Sequence, residues 1–255
     1  MINRRALFLA VGLLLFLCDL PGMTGAQEKK SQLYFIGEMA VKPSGIAKFE
    51  AAVKKEIELA YPLPWIAYST ADCFYDFLFP IENWGGIDAI NKADAEWMAK
   101  IGDKLQDLMK SMEGTVHYYR YGVIRSLPEL SYIPKKPRLK PEEEKYISWG
   151  YAYLEFGREK EFADVMKQWV EESKNKNTAI GWNTFVVESG TEMPLYFWAE
   201  SAASAADYFA ESEKDSKKIG KVKSTELGDK TMALLRKFET KTGQPRPDLS
   251  NVPKK

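Results

Sequence analysis

Two carboxylates stand where apolar side chains are the rule. Glu38 lies within Leu33-Tyr-Phe-Ile-Gly-Glu-Met-Ala-Val41, and Asp76 interrupts Phe74-Tyr-Asp-Phe-Leu-Phe79. In apolar surroundings the charged form of a carboxylate is disfavoured, so its pKa rises and it can serve as a general base near neutral pH. A structural ion pair with Arg120 or Arg125 is the competing reading of the same residues. His117 is the single histidine, which excludes multi-histidine metal sites, and with Cys73 it forms the one conceivable thiol–imidazole pair of the folded chain. A buried apolar thiol and a surface imidazole account for those two equally well. The candidate catalytic group is therefore Glu38, Asp76, His117 and Arg120. No phosphate-binding glycine loop, nucleophile elbow or zinc-ligand spacing occurs. Aromatic residues make up 13% of the chain. Tyr34, Tyr68, Trp149, Tyr151 and Trp182 could line a ligand space, although aromatic residues at strand spacing also suit a filled core.

Strands must carry most of these residues. Leu33 to Val41 is β-branched and aromatic without a breaker and ends at Pro43-Ser-Gly45. The period then changes: Ile46, Phe49, Ala52, Val53, Ile57 and Ala60 recur at three and four, which predicts a helix stopped by Pro62 and Pro64. Residues 65–71 and 74–81 predict two strands joined near Asp72-Cys73. A long amphipathic helix is expected from Gly86 to Met112, ended by Gly114, and a strand from Val116 to Ile124.

The pattern then repeats. Gly37 aligns with Gly150 in Tyr146-Ile-Ser-Trp-Gly-Tyr-Ala-Tyr-Leu154, Phe49 with Phe162, and Trp65 and Tyr68 with Trp182 and Phe185. Lys100-Ile-Gly102 matches Lys218-Ile-Gly220, and Pro128-Glu-Leu-Ser-Tyr-Ile-Pro134 matches Pro247-Asp-Leu-Ser-Asn-Val-Pro253. Five pairings in one order indicate an internal duplication. The second copy predicts strands at 147–156, 182–188 and 195–200, helices from 160 to 174 and from about Ser204, and a polar fourth strand within 236–244 that reads as an edge strand or as none. Asp76 corresponds to Tyr196 and Glu38 to Tyr151 in this alignment, so a Glu38/Asp76 site would exist in one half only.

Each copy thus has the order βαββαβ of a ferredoxin-like α+β unit, four antiparallel strands with two helices on one face. With Gly37 and Gly150 placed beneath the helices, Tyr34, Ile36, Glu38 and Ala40 point the other way, as do Ile147, Trp149, Tyr151 and Tyr153. Two such faces should cover one another. The expected architecture is two ferredoxin-like units packed sheet to sheet as an intrachain pseudo-dimer. The units span 27–127 and 145–255, joined by a Pro-, Lys- and Glu-rich linker over 128–144.

In element order and duplication the chain resembles the dimeric α+β barrel superfamily, with its antibiotic-biosynthesis monooxygenase-like and NIPSNAP-like domains and its two-copy, haem-containing chlorite dismutase-like proteins. The resemblance spans about Leu33 to Leu249 and rests on no diagnostic motif. It implies the fold, and for activity it implies a range from cofactor-free oxygenases and isomerases to ligand binders. Haem is implied as an alternative cofactor, with His117 as its sole possible imidazole ligand. His117 falls in the first copy, whereas chlorite dismutase-like proteins carry theirs in the second, so no cofactor is expected.

Residues 1–26 read as a cleaved secretory signal. Arg4 and Arg5 precede the apolar run Ala6 to Cys18, and Thr24-Gly-Ala26 supplies small residues before Gln27. The run is too short for a bilayer crossing, so a stable membrane span is not expected after cleavage, and the destination is periplasmic or extracellular. A lipidated Cys18 is disfavoured by Leu17, where a small residue would be needed. Removing Arg4, Arg5 and Asp19 leaves 34 basic against 35 acidic residues, a balance that offers no general attraction to nucleic acid. Monomer and homo-oligomer are equally open. The leading reading is an exported protein that binds a small apolar or aromatic ligand between the sheets. A cofactor-independent oxygenase or isomerase, and a non-catalytic structural or partner-binding protein, are the alternatives.

Overall fold

A computed structural model describes residues 30–252. The expected export signal over 1–26, Cys18 included, lies outside them. The first copy consists of β1 (Leu33–Val41), α1 (Ile46–Glu58), β2 (Ile66–Thr70), β3 (Phe74–Ile81), α2 (Gly86–Ile101), α3 (Lys104–Met112) and β4 (Val116–Ser126). The second consists of β5 (Tyr146–Leu154), α4 (Glu159–Lys176), β6 (Trp182–Ser189), β7 (Leu195–Ala202), α5 (Ala205–Ile219), α6 (Lys221–Met232) and β8 (Leu235–Pro245). The intervening residues 128–144 hold two single 3-10 turns, Pro128–Leu130 and Pro141–Glu143.

Apolar spacing sets each helix against its own sheet. Phe49, Ala52 and Val53 of α1 and Leu108 of α3 bury against Val41, Tyr75 and Phe77, and Phe162, Val165 and Met166 of α4 bury against Ala152 and Leu154. The long helix expected from Gly86 to Met112 is in fact two. Gly102 adopts φ +55° and breaks it, and Gly220 with φ +93° breaks its counterpart in the second copy. Both angles lie in the left-handed region that favours glycine, so the repeated Lys-Ile-Gly marks a joint.

The sheets close on themselves. Strand order is β1-β3-β2-β8-β5-β7-β6-β4, an eight-stranded barrel in which every neighbouring pair is antiparallel. This corrects the expectation of two sheets packed as separate layers: each unit's edge strands, β2 and β4, hydrogen-bond to β8 and β6 of the other, so backbone groups that a layered packing leaves open are satisfied. β8, expected to be an edge strand or absent, is paired on both sides, to β2 and β5. Because direction alternates around the ring, β1 and β5 run the same way on opposite walls, and the pseudo-twofold axis lies along the barrel.

The glycine placement also needs correction. Gly37 and Gly150 do face outward, but what fills their space is an aromatic ring from a neighbouring strand and not a helix. A Cβ on Gly37 would sit 3.2 Å from the Tyr121 ring and one on Gly150 2.4 Å from the Trp198 ring.

Candidate functional site

Inward residues follow from strand parity. Tyr34, Ile36 and Glu38 of β1, Tyr68 of β2, Leu78 of β3, Ile124 of β4, Trp149, Tyr151 and Tyr153 of β5, Phe185 and Val187 of β6, and Phe197 of β7 converge on the barrel axis. Their rings touch: Phe185 and Phe197 stack at 5.0 Å, Tyr151 and Phe197 at 5.5 Å, and Tyr68 meets Trp149 edge-on at 6.2 Å. Tyr34, Ile36, Tyr68, Leu78, Tyr151 and Phe185 are partly exposed and pack against the buried residues of this cluster.

Toward the C-terminal ends of β1 and β5 the lumen becomes polar. Arg120, Glu38, Asp76 and Tyr68 are successive cross-strand partners on β4, β1, β3 and β2, a single row along one wall. Arg120 Nε lies 2.6 Å from Glu38 Oε1. Asp76 is 8% exposed, and its Oδ1 has no hydrogen-bond partner among the described residues. Burial, reinforced by the charge of Glu38 and opposed by Lys241 and Arg120, pushes the Asp76 carboxyl up to about 7. A carboxyl raised toward neutrality is suited to general-base catalysis. Burial likewise raises Tyr68 and Tyr151, with the charge of Asp76 adding to both.

Charged residues of β8 complete the mouth. Lys237, Glu239 and Lys241 are the partners of Tyr153, Tyr151 and Trp149. Tyr153 donates to Glu239 at 3.0 Å, Lys237 pairs with Glu239 at 2.9 Å, and Lys241 lies 3.9 Å over the Phe74 ring and 3.6 Å from Asp72. The polar character of 236–244 hides these residues from apolar alternation, although Lys-x-Glu-x-Lys is the period-two signature of a strand with one charged face.

Of the candidates read from sequence, Glu38, Asp76 and Arg120 lie side by side, and Tyr34, Tyr68, Trp149 and Tyr151 share the lumen. His117 and Trp182 do not join them. His117 is exposed where a register shift between β1 and β4 skips it. Trp182 has the opposite parity to Phe185, so it packs outside the barrel on Tyr132 at 5.3 Å, its indole donating to the Leu130 carbonyl at 2.9 Å. The register also shows that Asp76 corresponds to Phe197, not Tyr196, because Glu38 pairs with Asp76 as Tyr151 pairs with Phe197. Arg120 corresponds by the same logic to Glu239.

Two further groups lie on the outer faces. In the first copy Tyr61 donates to Asp94, and burial with the nearby Asp94 charge raises Glu56 to about 7. In the second, burial raises Glu200 to about 7 against the lowering effect of the Tyr208 hydroxyl at 2.6 Å. Among the described residues no group of three or more His, Cys, Asp or Glu side chains is placed to hold a metal ion, and no helix is long and apolar enough to cross a membrane.

No protein-family model and no curated protein matches the chain. Solved structures do. An anthrone oxidase-like protein superposes with a TM-score of 0.55 at 10% identity, over 86% of this chain and 92% of that one. A candidate monooxygenase of Lactobacillus acidophilus NCFM gives 0.51 at 10% identity, over 85% and 94%, and one of Fusobacterium nucleatum 0.51 at 13%, over 84% and 92%. The fold is the dimeric α+β barrel, in tandem two-copy form. In this tandem α+β barrel the polar triad of the first copy, Glu38, Asp76 and Arg120, is replaced in the second by Tyr151, Phe197 and Glu239, so the lumen has one acidic wall and one aromatic wall. His117, the one imidazole of the chain, is exposed and stands outside the lumen cluster.

Proposed function

We propose that the barrel is a cofactor-independent oxygenase or isomerase whose base is Asp76, acting on a small aromatic carbon or oxygen acid at the polar mouth of the lumen. The observation that carries this reading is the buried, unpartnered Oδ1 of Asp76 beside the Glu38–Arg120 pair. A carboxylate so placed takes a proton, and the half-exposed Arg120 favours the anion left behind. An enolate or phenolate formed there is oxygenated if dioxygen traps it and isomerised if the proton returns to another carbon. The fold shared with an anthrone oxidase-like protein and with candidate monooxygenases supports this reading over simple ligand storage. The reading also takes residues 1–26 as an export signal, with the mature chain starting at Gln27.

The test uses two carbon acids of different size, 2-tetralone and anthrone. Loss of the acidic C–H signal in D2O is followed by NMR without air, and dioxygen uptake is followed in air. The wild-type chain should accelerate exchange of at least one compound, and Asp76→Asn should lower that rate by about 10²- to 10⁴-fold, the range a positioned base supplies. Equal exchange by the wild-type chain and the variant would remove Asp76 from the reaction.

A further inference from the structure

β1 and β5 face each other across the barrel, and Glu38 and Tyr151 occupy equivalent positions on them. The acceptor-bearing wall of the first copy is thus opposed by a phenol from the second. The Tyr151 ring is held by stacking on Phe197, at 5.5 Å and 25°, and Phe197 stacks in turn on Phe185 at 5.0 Å and 15°. Among the described residues its hydroxyl makes no hydrogen bond, although Tyr153, two residues further along the same face, donates to Glu239. Asp76 Oδ1 is the unmatched acceptor of the opposite wall. An open donor and a buried, unmatched acceptor on facing walls are satisfied together by one molecule that gives a hydrogen to the second and accepts one from the first.

We propose that Tyr151 is a catalytic residue: the reaction centre is composite, with Asp76 of the first copy taking the substrate proton while the Tyr151 hydroxyl donates to the substrate oxygen on which charge develops. This rests on Asp76 being the base. In the step, the C–H or O–H bond breaks, its proton goes to Asp76 Oδ1, and its electron pair moves onto the substrate oxygen facing Tyr151. The phenol keeps its own proton, as it must: burial, with the Asp76 and Glu38 charges, opposes its ionisation. A fixed donor aimed at developing charge in a water-poor site favours the transition state over the ground state. The duplication explains why this is available. A symmetric dimer would repeat Glu38 on both walls, whereas divergence of the copies lets one wall present an acid and the other a donor.

5-Nitrobenzisoxazole tests this without knowledge of the natural substrate. A base removes its C3 proton, the ring N–O bond breaks, and the coloured 2-cyano-4-nitrophenolate forms with no oxidant or cofactor. Tyr151→Phe removes only the hydroxyl and keeps the stacked ring. It should lower kcat by about 100-fold with KM nearly unchanged, and it should make the rate depend more steeply on the leaving-group pKa across substituted benzisoxazoles, which a structural role would not do. If Asp76→Asn abolishes the reaction while Tyr151→Phe matches the wild-type chain, the composite centre is wrong and the base assignment stands. If Asp76→Asn is as active as the wild-type chain, or the wild-type chain does not accelerate the reaction, the base assignment fails and takes this proposal with it.

Discussion

The indole of Trp65 donates to the carbonyl of Leu249 at 2.7 Å, joining the start of the first copy's β2 to the end of the second copy. The Trp182 indole makes the reciprocal bond to Leu130 at 2.9 Å, and the neighbouring backbone repeats the exchange: Ala67 N–H donates to the Ser250 hydroxyl as Thr184 N–H donates to that of Ser131. Each copy's Pro-x-Leu-Ser tail therefore locks the other copy's second strand. Trp65→Phe leaves the buried Leu249 carbonyl without its donor and a small void beside it, so it should cost about 1–3 kcal/mol in urea unfolding. Trp182→Phe should fall in the same range. A neutral result at both sites would mean that the tails do not hold the barrel closed.

Stability should fall as pH rises from about 4 to about 7. Asp76, Glu56 and Glu200 all have folded pKa values raised to about 7, so over this interval the folded chain binds more protons than the unfolded one, and deprotonation favours unfolding. Asp76→Asn removes one of these groups. The variant should exceed the wild-type chain by a few kcal/mol at pH 8, and the gap should narrow toward pH 4. Denaturant midpoints at pH 4.5 and 8 check this, and a gap independent of pH would place the Asp76 pKa outside this window.

Much of this site could be read from residue types alone, because parity is a local property of a strand. The alternation in Leu33–Val41 puts Glu38 inside, and the aligned Gly150 puts Tyr151 inside with it. What lay beyond reach was set by pairing across the chain. The two-sided bonding of β8 depends on β2 and β5, the contact of Trp182 with Tyr132 and Leu130 depends on the tail that crosses from the other copy, and the equivalence of Asp76 and Phe197 depends on register, which places Asp76 one residue from the Tyr196 alignment. The Tyr61–Asp94 contact joins a loop to a helix 33 positions away, and neither residue stands out from its neighbours in type or spacing.

Glu38 and Arg120 should tune Asp76 in opposite directions. The Glu38 charge raises the Asp76 pKa and the Arg120 charge lowers it. Glu38→Gln should therefore shift the acid limb of an Asp76-dependent rate to lower pH, and Arg120→Met should shift it to higher pH. Carboxyl ¹³C NMR titration of Asp76 reads the same displacements without a substrate. Shifts of like sign in the two variants would show that rearrangement, and not the removed charge, governs the site.

The two glycines beneath the outer rings of the barrel, Gly37 and Gly150, should respond differently to an added methyl group. A Cβ on Gly37 would meet the edge of Tyr121, a half-exposed ring that can move into solvent, so Gly37→Ala should cost less than about 1 kcal/mol. A Cβ on Gly150 would sit 2.4 Å from the Trp198 ring, which is stacked on Phe238 at 5.8 Å and, partly buried, packs against the cluster between the second sheet and α4. At that distance the ring or the strand must shift, and overpacking of this kind costs about 1–3 kcal/mol. Because Gly150 precedes Tyr151 on β5, the displaced strand should also move the phenol. In Gly150→Ala, thermal unfolding should therefore shift to lower temperature and 5-nitrobenzisoxazole turnover should fall with it, whereas Gly37→Ala should leave Tyr151 in place. Equal costs at the two sites would mean that Trp198 has room to move, and that the aromatic wall is less firmly set than its stacking implies.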